Sequence, residues 1–187
     1  MNHTFFLRYL LWIPVFIGLS MVATNLNNPI HTNAQEASDC QPDNLNVANW
    51  STDFCNGDVN FRDFLSGGPP KDGIPAINDP SMESIGSGLE WLSRRSPVIA
   101  VEIDGEARAY PQAILMWHEI ANDEIAGVPI AVTFCPLCNS SITYDRRVDG
   151  EVLDFGVSGL LRNSDMVMFD RQTETWWQQL TGEALVG

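Results

Sequence analysis

The chain is short of positive charge: 10 Lys and Arg stand against 24 Asp and Glu, a formal charge of −14 over 187 residues. Such a balance argues against nucleic acid or an anionic membrane surface as partner and leaves cationic proteins, metal ions and small molecules open. No internal repeat and no low-complexity block is present, which excludes solenoid and propeller architectures. Cys135 and Cys138 are followed by Asn139 rather than histidine, so the haem-attachment pattern Cys-x-x-Cys-His is absent. Asp39 stands directly before Cys40, so no small-residue triplet leads into that cysteine as a lipid-anchor signal would require. With an apolar fraction of 44% and six tryptophans, the chain has the material for a real core.

What is there begins with an export signal. Arg8 precedes an uncharged apolar stretch over 9–23, with small-residue cleavage sites at Met21-Val22-Ala23 and Thr32-Asn33-Ala34. The stretch is shorter than the roughly 20 residues of a transmembrane helix. Residues 1–34 are therefore expected to be a signal peptide or N-terminal anchor, and the protein to be periplasmic or extracellular, meeting a membrane only through that segment. In an oxidising compartment Cys40 and Cys55 are expected to close a loop of about 15 residues, a bridge that stabilises by about 3 kcal/mol in the chain-entropy model. Residues 35–65 then form a tether and disulfide-linked arm, followed by one domain over 66–187.

Patterning along that domain predicts an α+β fold, mostly antiparallel β with a few short helices. The Gly- and Pro-dense tract over 66–77 excludes helix and central strand and reads as a covering arm. A short helix is expected over 87–93. Next comes a hairpin with strands over 98–103 and 106–110 on an Asp104-Gly105 turn. Pro111 opens a helix through about Ala121, with Ile114, Leu115, Trp117, His118 and Ala121 near one face. A hairpin-like element over 124–128 leads into a strand ending at Cys135. Extended segments follow over 140–144, 151–155 (after an Asp149-Gly150 turn) and 166–169, with a last strand at 184–187. Gly156-Val157-Ser158-Gly159 predicts a bulge or close backbone approach. The tryptophans at 117, 176 and 177 are read as core anchors, and Met166 and Met168 as sharing one core face.

Reactive chemistry concentrates at Cys135-Pro136-Leu137-Cys138, which follows the β-branched run Ile130-Ala131-Val132-Thr133. Pro136 suits the first position of a helix or tight turn, and two thiols at this spacing can reach each other or one metal ion.

Six blocks together resemble a known family: residues 67–75, Ala107-Arg108-Ala109-Tyr110-Pro111, Trp117-His118-Glu119-Ile120, residues 133–140, residues 155–159, and Asn163-Ser164-Asp165 through Asp170-Arg171-Gln172-Thr173. The family is the bacterial and archaeal domain of unknown function numbered 3179, and the resemblance runs from about Ser66 to Gly187. It implies an exported or membrane-anchored domain that continues beyond the present C-terminus, and it implies no activity.

Three readings of the cysteine pair stay open. A redox-active dithiol, an oxidoreductase centre with an unidentified small molecule or redox partner, would place a thiolate at a helix N-terminus, with His118 as proton carrier. A metal site would use Cys135, Cys138 and His118 to hold copper or zinc. An inert bridge in a non-enzymatic binding or scaffold domain is the third. The cluster Arg162, Asn163, Ser164 and Asp165 and the pair Asp170-Arg171 are open to two readings. They line a pocket beside the thiols, with Asn163, Asp170 and Arg171 as candidates to bind a cofactor there, or Asn163-Ser164-Asp165 is turn chemistry and Asp170-Arg171 a strand exit.

Overall fold

Alternation along one strand sets the architecture. In the strand Asp165–Asp170, Met166 and Met168 point to one side and Val167 and Phe169 to the other, and every residue is buried. A strand buried on both faces needs a cover on each. The computed structural model describes residues 40–187 and supplies both. The segment expected to direct export, 1–34, lies outside the described residues. No helix among the described residues is long and apolar enough to cross a membrane.

The elements in chain order are β1 (Phe64–Ser66), β2 (Ile77–Asn78), α1 (Ile85–Trp91), β3 (Val98–Ile103), β4 (Glu106–Pro111), α2 (Gln112–His118), β5 (Ile120–Ile125), β6 (Val128–Cys135), β7 (Ser140–Asp145), β8 (Arg147–Val148), β9 (Glu151–Val152), β10 (Phe155–Arg162), β11 (Asp165–Asp170), β12 (Trp176–Gln178) and β13 (Ala184–Val186). A five-stranded antiparallel sheet runs β1-β10-β11-β12-β13, and a four-stranded sheet runs β2-β5-β6-β7. The second sheet is antiparallel except where β2 joins β5 in parallel. Two hairpins, β3–β4 and β8–β9, complete a mostly antiparallel chain with two short α-helices.

On the methionine face of β11 lie Ile120, Ala131 and Cys135 from the four-stranded sheet. On the opposite face Val167, Phe169 and Trp176 pack against Phe54 and Phe64, with Trp50 edge-on to Phe169 and Trp176 at 5.1 Å each. Burying side chains of this size contributes roughly 1.5–3 kcal/mol apiece. The Cys40–Cys55 bridge is present and holds the segment that carries these aromatics. Residues 67–72 strap the bulge of β10, where the ladder shifts between Val157 and Leu160. Gly67 N–H donates to Gly159 O at 2.8 Å and Asp72 N–H to Val157 O at 2.9 Å.

Several expectations need correction. The helix after Pro111 ends at His118, not near Ala121, because Glu119 takes a positive φ of 59° and residues 120–125 are claimed by β6. The short hairpin expected over 124–128 is the end of that much longer ladder, which turns at Ala126-Gly127. Trp117 is 75% exposed rather than a core anchor. Leu115 is the buried residue of α2, and a position two residues on is rotated about 200° to the opposite face. The return strand over 151–155 splits: Glu151–Val152 pairs with β8, and Phe155 opens β10 with the bulge inside it.

Candidate thiol site

Cys135 ends β6 and pairs with Ser140 at the start of β7, so residues 136–139 form the turn of a hairpin. Pro136 begins that turn, and Asn139 closes it at φ 51°, a conformation asparagine tolerates better than most residues. The helix N-terminus expected to activate a thiolate is therefore missing; the second strand of the hairpin occupies its place. The two sulfurs form a bridge, with the Cα atoms 5.6 Å apart. Their environments differ sharply. Cys135 is 1% exposed within the methionine-faced core, whereas Cys138 faces solvent.

Asp165, the first residue of β11, reaches this pair from the other sheet. Its Oδ2 accepts hydrogen bonds from Gln178 Nε2 at 2.6 Å and Leu180 N–H at 2.9 Å. That leaves Oδ1 aimed at Cys138 Sγ, 3.2 Å away. Ser140 Oγ lies 3.1 Å from the same sulfur and donates to Gln179 Oε1 at 2.8 Å. Gln179, fully buried, donates through Nε2 to Thr133 Oγ1 at 2.8 Å, and Thr133 donates to Ile142 O. Arg162 closes the second layer, with Nη1 3.3 Å from Gln178 Oε1.

Among the described residues, the His, Cys, Asp and Glu ligand atoms gathered within 4.8 Å of one another are those of Cys135, Cys138 and Asp165. His118 is not in that group. It sits at the end of α2, with its Nδ1–H donating to Pro75 O at 2.8 Å. The cofactor candidates are also placed elsewhere. Asn163 forms the β10–β11 turn at φ 53°. Asp170 is at the far end of β11 from Asp165, five residues or about 17 Å along the strand. There its carboxylate accepts from Thr173 N–H, Thr173 Oγ1 and Trp177 Nε1. Arg171 makes a two-pronged ion pair with Asp72, at 2.8 Å for each bond, which holds its pKa above the ordinary guanidinium value. Those two residues fasten the strap and the β11–β12 corner.

Two clefts adjoin these elements. A small one, of about 230 Å³, is lined by Cys135, Pro136, Leu137, Met166 and Glu119. Burial pushes the Glu119 carboxyl up to about 7. A larger cleft of about 890 Å³ opens between α1 and the β3–β4 hairpin. At its edge Arg108 donates to Asp123 at 2.6 Å and to Glu106 at 2.9 Å, while Tyr110 OH donates to Asp123 at 2.7 Å. These partners absorb the guanidinium charge and leave an apolar cavity.

Glu119 enters the sequence reading only within the block Trp117-His118-Glu119-Ile120, and Gln178 and Gln179 not at all; of the polar cluster offered as pocket lining beside the thiols, Asp165 is the member that reaches Cys138. The available signal for the amides was their place directly after Trp176-Trp177, where Gln178 ends β12 and Gln179 follows it, both buried. Among proteins of established function and among solved structures, nothing matches the chain. One family model does match, over residues 71–187, and with it the fold and this cysteine turn acquire their relatives: the chain belongs to the family described as protein of unknown function (DUF3179).

Proposed function

We propose that this is an exported, single-domain α+β protein in which Cys135 and Cys138 cycle between dithiol and disulfide. The observation that carries the reading is the asymmetry of the pair: one sulfur faces solvent, its partner is sealed in the core, and a carboxylate oxygen lies 3.2 Å from the exposed one. Exchange requires in-line access to one sulfur and a leaving sulfur behind it. A partner thiolate attacks Cys138 Sγ, and the Cys135 sulfur departs with the bonding pair and takes up a proton. The partner's second thiolate then attacks its own sulfur in the mixed disulfide and releases Cys138. The partner has lost two electrons and two protons, and the pair has gained them. Asp165 Oδ1 is positioned to accept the hydrogen bond of the Cys138 thiol so formed. The Cys40–Cys55 bridge supports an oxidising compartment.

Single-cysteine variants test this. In Cys135→Ser, the remaining Cys138 is expected to react with a chromogenic disulfide at least about tenfold faster than Cys135 does in Cys138→Ser, because Cys138 is exposed and Cys135 is buried. The wild-type pair should equilibrate with a glutathione redox buffer while the protein stays folded. A bridge that opens only on unfolding would make it a passive brace and end the redox reading.

A further inference from the structure

We infer that the reduced pair is a zinc site whose third protein ligand is Asp165. This rests on the reading that both cysteines exist as thiols in the folded protein, and it adds a ligand class that the redox reading does not need. Two cysteines separated by two residues at the tip of a hairpin match the short ligand spacing of zinc sites. Their Cα atoms are 5.6 Å apart, with Pro136 and the left-handed Asn139 fixing the turn between them.

The carboxylate supplies what a thiol pair alone lacks. Bond lengths of about 2.3 Å to sulfur and 2.0 Å to oxygen, in a tetrahedron, place ligand S and O about 3.5 Å apart. Cys138 Sγ and Asp165 Oδ1 are 3.2 Å apart. Asp165 is also held the way a ligating carboxylate is held: Gln178 Nε2 and the Leu180 N–H occupy Oδ2 and orient Oδ1 toward the sulfurs. Without a cation, the same geometry sets a carboxylate against any thiolate formed at Cys138. A divalent ion between them turns that repulsion into coordination.

The donor set favours zinc over monovalent copper, which two soft thiolates satisfy and for which a hard oxygen adds little. Three protein ligands leave a fourth position, on the solvent side where Cys138 is exposed, for water or a substrate atom. His118 is not part of the site, since its ring nitrogens are not in the group of ligand atoms that Cys135, Cys138 and Asp165 bring together. Two-electron oxidation of the thiolates by a partner disulfide forms the S–S bond, removes two of the three ligands and releases the zinc ion. Metal-bound and disulfide states are thus mutually exclusive.

The test uses the full chain, reduced with a phosphine under anaerobic conditions, desalted and titrated with cobalt(II) and then zinc. One cobalt per chain is expected, with the sulfur-to-metal charge-transfer band and intense visible bands of a tetrahedral thiolate site, all abolished by one equivalent of zinc. Asp165→Asn keeps the acceptor for Gln178 and Leu180 but should weaken zinc binding at least about tenfold, and Cys138→Ser should abolish it. Circular dichroism checks that each variant is folded. Absence of stoichiometric metal, or equal affinity in wild type and Asp165→Asn, overturns the inference. If the pair exchanges with glutathione yet takes up no metal, only the zinc site falls. If the bridge cannot be reduced in the folded protein, both readings fall.

Discussion

Glu119 offers the sharpest measurement of the cleft beside Cys135. Burial raises its carboxyl from 4.5 to about 7. A shift of that size corresponds to about 3 kcal/mol of discrimination against the charged form. Part of the side chain still meets solvent, so screening reduces the stability effect to about 1.5 kcal/mol. The sign follows from proton counting. Below pH 4.5 the group is protonated in both states and contributes nothing. Between about 4.5 and 7 the unfolded chain releases this proton first, so stability falls as pH rises, and above about 7 the full penalty is present. Glu119→Gln removes the charge while keeping a similar side chain and the same positive φ, so charge is the variable. The variant should match wild type near pH 4 and melt about 3–6 °C higher at pH 8, given about 2–4 °C per kcal/mol for a chain of this size. Thermal unfolding at pH 4, 5.5 and 8 gives the answer. An offset that is constant across pH, or a variant less stable at pH 8, would refute the account.

Two further outcomes follow from geometry already described. Burial pushes the Asp123 carboxyl up, but hydrogen bonds from Arg108 and Tyr110 outweigh it and hold the group below the ordinary carboxylate range. Asp123→Asn should therefore cost about 2–3 kcal/mol in urea denaturation at pH 7, somewhat less than a fully buried broken pair because Arg108 keeps some exposure. That gap should narrow as pH drops through the lowered folded value, and a gap independent of pH would count against the ion pair. At Gly159, φ is +77° and a Cβ would lie 2.0 Å from Pro69 O. Gly159→Ala should cost about 3–4 kcal/mol, combining left-handed strain with loss of the two strap hydrogen bonds. Gly105→Ala, at φ +83° in open space, should lose only about 1 kcal/mol. Equal losses at the two positions would show that the strap does not press on the bulge.

Local patterns carried much of the fold. Asp104-Gly105 between two alternating runs specified the β3–β4 hairpin, and Gly156 to Gly159 specified the bulge, because both depend on backbone freedom at a few adjacent residues. The Cys40–Cys55 closure was equally visible from the spacing of the two cysteines. The errors share one cause: competition between local preference and a distant partner. Residues 119–121 continue a helical apolar pattern, yet the ladder to residues 131–134 recruits them, and Glu119 turns the chain at an uncommon φ to allow it. Pro136 is as suitable for a hairpin turn as for a helix, and only the pairing of Cys135 with Ser140 decides between them. At the thiol site the cysteines themselves were legible. Asp165 was legible only as one member of a polar cluster that could lie beside them, because it reaches Cys138 through the packing of one sheet on the other, a proximity that no spacing along the chain encodes. Asp170 shows the reverse: it shares β11 with Asp165, but the length of the strand carries it away from the sulfurs.

Gln179 couples the two sheets through both its side chain and its backbone. Its amide touches Thr133 and Ser140 in one sheet, its backbone N–H binds Met166 O in the other, and its carbonyl receives the Tyr144 hydroxyl. A rearrangement of the cysteine turn that moves Ser140 must either drag this splice or break it. The Gln179 N–H to Met166 O hydrogen bond is thus the place, away from the sulfurs, where hydrogen exchange would register any such movement of the turn.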